Sequence, residues 1–468
     1  MSFSTLNIGA SALFASQRAV EAASQNVANA SVDGYSRQVV RITSATPTPG
    51  TSIGDRSDGM RGNGVVVTSV DRLRDQLADV AYRSEAAADG YAGARSTTLD
   101  RAQSILGSVS SGVPATLDKF WAAFDSLSNN PTDTAARNTV LDAGSEISRA
   151  LRDASTQLGS LTTDAASQVS GDVTTINNLA TQVAGLNKSI LDATTAGQSP
   201  NDLLDSRDRA IDQLHQLAGV TTHENSLGVV DVYIGTRSLV RGEQTTALQA
   251  GLATNGGAPT VTWSDDGSSV GPGGEVGGYL SVTNVDLPGL KSMLDSVAKG
   301  LISAVNTTHA AGYGLPPGGT GTSTTTGTAF FSGTDASSID LASGLNATTL
   351  AASLGGAAND GNNAIALAAL RGKTNAVTMP DGTTSSVGDA LRAVGGKLGS
   401  LASAAAATHT ATNTAAASAD KSRASANGVS VDEEMVDLVK WQHAYSAAAK
   451  VVSTADAMLD TLINHLGS

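Results

Sequence analysis

The chain has no cysteine in its 468 residues. That excludes disulfides, thiol catalysis and cysteine-ligated zinc, and leaves the redox compartment open. Aromatic residues make up only 3% of the sequence and charged residues 15%, so large side chains bury little area per residue. No apolar run approaches the roughly 20 residues of a membrane span. The opening stretch MSFSTLNIGASALFASQR has no basic segment ahead of its apolar positions, so neither a cleaved leader nor membrane insertion is expected. Basic patches are lacking too. Against 29 Lys and Arg stand 43 Asp and Glu, a formal net charge of -14, which argues against nucleic acid and anionic lipid as partners.

Catalytic patterns are equally scarce. The six histidines, at 215, 223, 309, 409, 443 and 465, show no metal-ligand spacing, so no metal or other cofactor is expected. Gly271-Pro272-Gly273-Gly274 is not followed by Lys-Ser/Thr and reads as a turn, not a phosphate loop. Asp202, Asp205, Asp208 and Asp212 lie beside Arg207 and Arg209 at helical spacing. Carboxylate catalysis is the weaker reading of that cluster, and a salt-bridged solvated or interdomain face the stronger. Nothing points to an enzyme.

What is present is pattern at the two ends. In residues 4–28, Leu6, Ala10, Leu13, Gln17, Val20, Ser24 and Val27 follow a 4-3 spacing. In residues 431–466 the series is Met435, Leu438, Gln442, Tyr445, Ala449, Val452, Asp456, Leu459, Ile463 and Leu466. Both are coiled-coil seams, although termini are where order is usually lost. Gln17, Gln442 and Asp456 are polar seam positions that set register when neighbours satisfy them. Each helix also carries apolar residues off its seam: Ile8 and Phe14 on one, Val436, Trp441 and Val451 on the other. The helices could simply pair within one monomer, but more than one apolar face suggests further contacts between subunits.

Between the ends the predicted fold is mainly α. Residues 71–109 and 116–129 read as helices separated by a break at Gly112-Val113-Pro114, with Leu73, Leu77 and Val80 facing inward. A further helix, or two nearly collinear ones, covers 134–194, and another 200–217. The apolar spacing predicts antiparallel packing into an elongated rod. Residues 220–282 alternate like hairpin strands, 287–309 return to helix, and 312–334 is a low-complexity loop. Residues 44–64 read as a surface loop, and 387–426 as a helix of small residues in need of partners. The expected domains are a discontinuous terminal-helix assembly domain (1–30 with 430–468), a helical rod domain (31–218 with 361–429) and a β-rich outer domain (219–360) with a helix near 287–309.

Several segments carry a resemblance. Asn7-Ile8-Gly9, Asn26-Val27-Ala28-Asn29-Ala30, Gly34-Tyr35-Ser36-Arg37-Gln38, Asn201-Asp202-Leu203-Leu204-Asp205 and Gly428-Val429-Ser430-Val431-Asp432-Glu433-Glu434 resemble bacterial flagellar axial proteins. Among those proteins the similarity is greatest to the ones that join hook to filament. Val32-Asp33 stands where Thr-Pro is common in the family. The resemblance implies a secreted structural subunit at the hook–filament junction, self-associating into a ring or short helical layer. It implies terminal helices that line a central channel and fold between neighbouring subunits, with Asn26, Asn29, Gly34, Tyr35 and Arg37 as its motif residues. It also implies contacts with hook protein, the second junction protein and filament subunits, and an export chaperone for the C-terminal helix. Export unfolded through the flagellar channel would account for the missing leader and cysteines. From another class, the alternative is a secreted surface adhesin or host-interaction module on a helical stalk.

Overall fold

The computed structural model describes the backbone of residues 2–47, 62–252 and 259–466, and within it all side chains except those of 2–3, 105–111, 252 and 462–466. Most of the 44–64 loop therefore lies outside the described residues. The order is α1 (Ser2–Asn29), β1 (Gln38–Ser44), β2 (Val65–Arg72), α2 (Gln76–Asn129), α3 (Thr134–Thr195) and α4 (Asn201–Ala218). Short strands follow: β3 (Thr221–Glu224), β4 (Val230–Ile234), β5 (Arg237–Arg241), β6 (Gln244–Thr245), β7 (Leu248–Leu252) and β8 (Pro259–Trp263). Then come α5 (Gly274–Ser281), α6 (Leu287–Ala310), β9 (Phe331–Ser332), β10 (Asp340–Leu341), α7 (Asn362–Ala369), β11 (Val377–Thr378), β12 (Thr384–Ser385), α8 (Val387–Asn427) and α9 (Val431–Leu466). The chain is mainly helical, with small antiparallel sheets inserted. Among the described residues no helix is long and apolar enough to cross a membrane.

The chain divides into two compact units. The first comprises Met1–Ala87, Ile176–Ala247 and Asn413–Ser468. In it α1 packs along α9, and the β1–β2 hairpin lies against α1. Gly9 shows why the pair is close: a Cβ there would stand 2.9 Å from a Val452 methyl. Strands β3 to β6 form one antiparallel sheet. It is fastened by Asn187 of α3, whose amide donates to the carbonyls of Val230 (2.8 Å) and Gly242 (2.9 Å) and accepts from the Val230 N–H (3.2 Å). At the end of α4, Gly219 takes φ 60° and its N–H caps the His215 carbonyl.

The second unit comprises Ala88–Thr175 and Leu248–Thr412. Its core gathers Phe120, Trp121 and Phe124 of α2, the α3 series Val140, Ile147, Leu151 and Leu158, and Leu290, Leu294, Val297 and Leu301 of α6. Phe330 and Phe331 complete it, with ring centroids 5.5 and 5.6 Å from Phe120.

Three expectations are corrected. Helix α2 runs through Pro114 rather than breaking there. Proline removes the backbone hydrogen bond that position 114 would give to the Ser110 carbonyl, but Val113, Leu117, Phe120 and Phe124 bury one continuous face across it, which holds the helix together. Next, 312–334 is not a free loop. Tyr313 bridges to Thr326 and Ser353, and the segment delivers Phe330 and Phe331 to the core. Finally, Leu73, which precedes α2, and Leu77 and Val80 in its first turns face solvent, while the buried Asp79 and the paired Arg83 of the same turns take the inward positions.

Candidate functional site

Tracing the terminal helices to their base leads to a buried polar cluster in the first unit. Asn26, in the last turns of α1, is fully enclosed. Its amide nitrogen donates to the Gln38 carbonyl (2.9 Å) and to Glu434 Oε2 (3.0 Å). Its Oδ1 accepts the Tyr35 hydroxyl (2.9 Å) and the Gln38 N–H (2.9 Å). One side chain thus ties α1, the turn after it, β1 and the start of α9. Asn29 donates to the Gln25 carbonyl at 3.1 Å, and its own carbonyl accepts the Val32 N–H at 2.9 Å, which closes the turn.

Glu434 would be costly to bury alone. Arg37 provides its countercharge, with Nε 2.6 Å from Glu434 Oε1, and also reaches Glu433 at 3.2 Å and Asp437 at 3.7 Å. The three carboxylates project from the first turns of α9, where the helix dipole favours negative charge. Ser430 precedes them as the N-cap, its Oγ 3.4 Å from the Glu433 N–H. Burial, with Asp202, Asp205 and Glu434 nearby, pushes the Tyr35 phenol up to about 12.

A second network lies beside the first. The Ser36 hydroxyl donates to Asp205 at 2.7 Å, and Arg72 reaches Asp205 (2.7 Å) and Asp208 (2.8 Å). Arg74 pairs with Asp79 and Asp208 at 2.7 and 3.0 Å. Asp212 takes Arg83 and Arg423, both at 2.6 Å, and the Arg423 guanidinium lies 3.7 Å over the Tyr82 ring. Burial alone would raise the Asp208 carboxyl, but Arg74, Arg72 and Arg83 outweigh it and hold it below the ordinary value. Asp205, Asp208 and Asp212 are therefore salt-bridged as expected, yet largely enclosed instead of solvated, while Asp202 accepts from the Gln38 amide at 3.4 Å.

Gly34 sits at the turn between these networks with φ 72°. A Cβ there would collide with the Arg209 side chain. Asn427, at the end of α8, accepts the Asp75 N–H at 2.8 Å, and its backbone carbonyl accepts the Arg37 N–H at 3.1 Å.

Along the paired helices the tightest burial falls on small residues. Gly9, Ala15, Ser16, Ala19, Ala22 and Ala23 of α1, and Ala448 and Ala455 of α9, are enclosed. Leu6, Leu13, Val20 and Val27, with Leu438, Val452 and Leu459, are half-buried. Gln17, Met435, Gln442, Tyr445 and Asp456 are exposed, and the side chain of Ile463 lies outside the described residues. The Gln17 amide donates to Glu21 of its own helix at 3.1 Å. Apolar groups stand in solvent around this pair: Phe14 is 67% exposed and Val436 69%, with Ile8, Val439, Val451 and Met458 also exposed.

Sequence reasoning marks Asn26, Gly34, Tyr35 and Arg37 but misses their partners Glu434, Asp205 and Asn427. The signal available for Glu434 was its place in an acidic first turn, which reads equally well as helix capping. Among the described residues, no group of three or more His, Cys, Asp or Glu could hold a metal. The arrangement is mechanical: a fixed joint at one end and unsatisfied apolar surface along the rest.

Residues 99–331 match the family model described as flagellar hook-associated protein FlgK helical domain. Residues 6–35 match the flagella basal body rod protein model, and 423–465 the flagellar basal body rod FlgEFG protein C-terminal model. The chain is 30% identical over 504 aligned positions to flagellar hook-associated protein 1 of Bacillus subtilis, covering 99% of this chain and 98% of that one. It is 28% identical to the Escherichia coli protein of the same name, over 66% of this chain and 58% of that one. It shares its fold with the flagellar hook junction protein FlgK of Burkholderia pseudomallei, at TM-score 0.62 and 17% identity, covering 73% of this chain and 98% of that one.

Proposed function

The chain belongs to the flagellar hook-associated protein 1 family, and from that premise we propose that its paired terminal helices are the surface through which copies assemble. It is a structural subunit of the bacterial flagellum, secreted and located at the hook–filament junction, and the family's work is mechanical, not catalytic.

One observation carries the assembly reading. The joint at the base of the helices is fully hydrogen-bonded, while Phe14 and Val436, along their length, are more than half exposed. A monomer gains nothing from large apolar groups in water. Subunits meeting there would bury them, with Leu6, Leu13, Val20 and Val27 of α1 and Met435, Leu438, Tyr445, Val452, Leu459 and Ile463 of α9 at or beside the contact. Gln17, Gln442 and Asp456 would set register. The contact is heterologous and closes into a ring or one short helical turn.

The three-part organisation follows: terminal helices innermost, residues 31–218 with 361–429 as the next layer, and 219–360 outermost. Hook protein, the second junction protein and filament subunits are the proposed neighbours, with an export chaperone holding α9 before assembly. Small side chains and polar seam positions suit helices that gain order only on assembly.

Fractionation tests this against a surface adhesin. In a strain lacking the native copy, the full chain is expected in sheared flagella and restores swimming, while a chain lacking 431–468 does neither. Normal swimming with the truncated chain would sink the reading.

A further inference from the structure

Asp172, on α3 in the second unit, breaks a rule that the rest of the molecule keeps. The other buried carboxylates among the described residues, Asp79, Asp205, Asp286 and Glu434, each face an arginine, at 2.7, 2.7, 3.0 and 2.6 Å respectively. Asp172 is as deeply enclosed, 6% exposed, and has no such partner. Its Oδ1 accepts the Gln168 amide at 3.0 Å, and its Oδ2 has no hydrogen-bond partner among the described residues. Enclosing a carboxylate without a countercharge is costly.

A second carboxylate faces the same place. The Gly271–Gly274 turn, with Gly274 at φ 56°, delivers Glu275 into the first turn of α5. Glu275 is half-buried, and the Tyr279 hydroxyl donates to it at 3.4 Å. Burial and the Asp172 charge both raise the Glu275 carboxyl, and burial with Glu275 and Asp172 pushes the Tyr279 phenol up to about 12. Arg101 of α2 acts on Tyr279 but lowers neither carboxyl. The cluster is therefore doubly acidic, and the half-buried Glu275 leaves it open to water on one side.

We propose that Asp172 and Glu275 bind a divalent cation, calcium or magnesium, which joins α3 to α5. Two carboxylates neutralise such an ion, and the oxygens on offer are hard ones, with the Tyr279 hydroxyl and the Gln168 amide beside them. Two charged ligands and water make a weak site, with a dissociation constant on the order of 0.1–1 mM. The ion would supply from outside what arginine supplies to the other buried carboxylates.

Thermal melting tests it. The full chain is stripped of metal with EDTA at pH 7, and calcium or magnesium chloride is added against sodium chloride at matched ionic strength. At least one of the two should raise the midpoint by about 2–4 °C near a concentration on the order of 10 mM. Asp172→Asn keeps the shape and removes the charge, so its metal-free midpoint should not fall, and its affinity for the ion should drop by about tenfold or more. Glu275→Gln, at a position open to water, should blunt the response as well. No rise with either cation overturns the proposal, and so do equal rises in the parent and both variants, which would move the ion elsewhere. Stabilisation by acid without any response to metal would replace the ion by a proton shared between the two carboxyls, and that too overturns it.

Discussion

Asn26 and Glu434, 408 residues apart in sequence, meet at 3.0 Å in a buried contact between the first helix and the last. This contact places both ends of the chain in one structural element, and the stability of the joint depends on it. Replacing Asn26 by Ala strands the Tyr35 hydroxyl, both Gln38 backbone groups and one Glu434 oxygen. The expected loss is about 2–3 kcal/mol in equilibrium urea unfolding. Glu434→Gln combined with Asn26→Ala should lose less than the two separate losses added, because the groups share one network. Strict additivity would show that the cluster does not act as a unit.

Gly34→Ala should be more damaging than a glycine-to-alanine change in a helix. Its φ of 72° alone disfavours any other residue, and the Arg209 side chain occupies the space a methyl would need. The left-handed term contributes about 1–2 kcal/mol, and the collision adds to it. Truncating Arg209 to Ala in the same chain should recover part of the loss, which calorimetric melting would show.

Acid should weaken both units, beginning well above the carboxylate range. His309 is enclosed, with Nδ1 2.5 Å from the Thr328 carbonyl and Nε2 accepting the Ala351 N–H at 2.9 Å. Burial lowers its pKa, as it does that of His215 in the first unit. The unfolded chain therefore takes up protons that the folded chain refuses, and stability falls as pH drops below about 6.5, by at most about 1.4 kcal/mol per pH unit per histidine. Asp208 acts lower. Its depressed pKa stabilises the fold above the ordinary carboxylate value, and that contribution is lost as pH falls through the folded value. A urea midpoint constant from pH 7 to pH 5 would contradict the histidine part.

Surface aspartates on the terminal helices should separate stability from assembly. Phe14→Asp and Val436→Asp alter exposed positions, so each should change unfolding free energy by less than about 0.5 kcal/mol. Both should reduce incorporation into flagella sharply. Unchanged incorporation would remove these side chains from the contact.

Much of the fold was legible because its helices are long and periodic. Helix α3, expected over 134–194, spans Thr134–Thr195 with Val140, Ile147, Leu151 and Val169 inward. Aromatic anchors were harder to place. Phe330 and Phe331 sit in a Gly/Thr-rich stretch without periodicity, and only their docking on Phe120 gives that stretch a structure. The stripe of Leu73, Leu77 and Val80 misled for the opposite reason: hydrophobic spacing gives a face but not its cover, and here the arginine–aspartate network takes the inward side. At the joint, the motif residues were legible by resemblance. Asp205 and Glu434 also fall in segments that carry the resemblance, but their burial was not legible, since burial of a carboxylate depends on arginines supplied from remote segments.

The most direct test of terminal helices that gain order on assembly is amide hydrogen exchange of α1 and α9 in the secreted monomer and in isolated flagella. Residues 4–20 and 441–461 should exchange rapidly in the monomer, while the joint around Asn26 and Glu434 and the α3 amides near Ile147 and Leu151 stay protected, and the two terminal stretches should become protected in flagella. Equal, strong protection of both helices in the monomer would contradict the account.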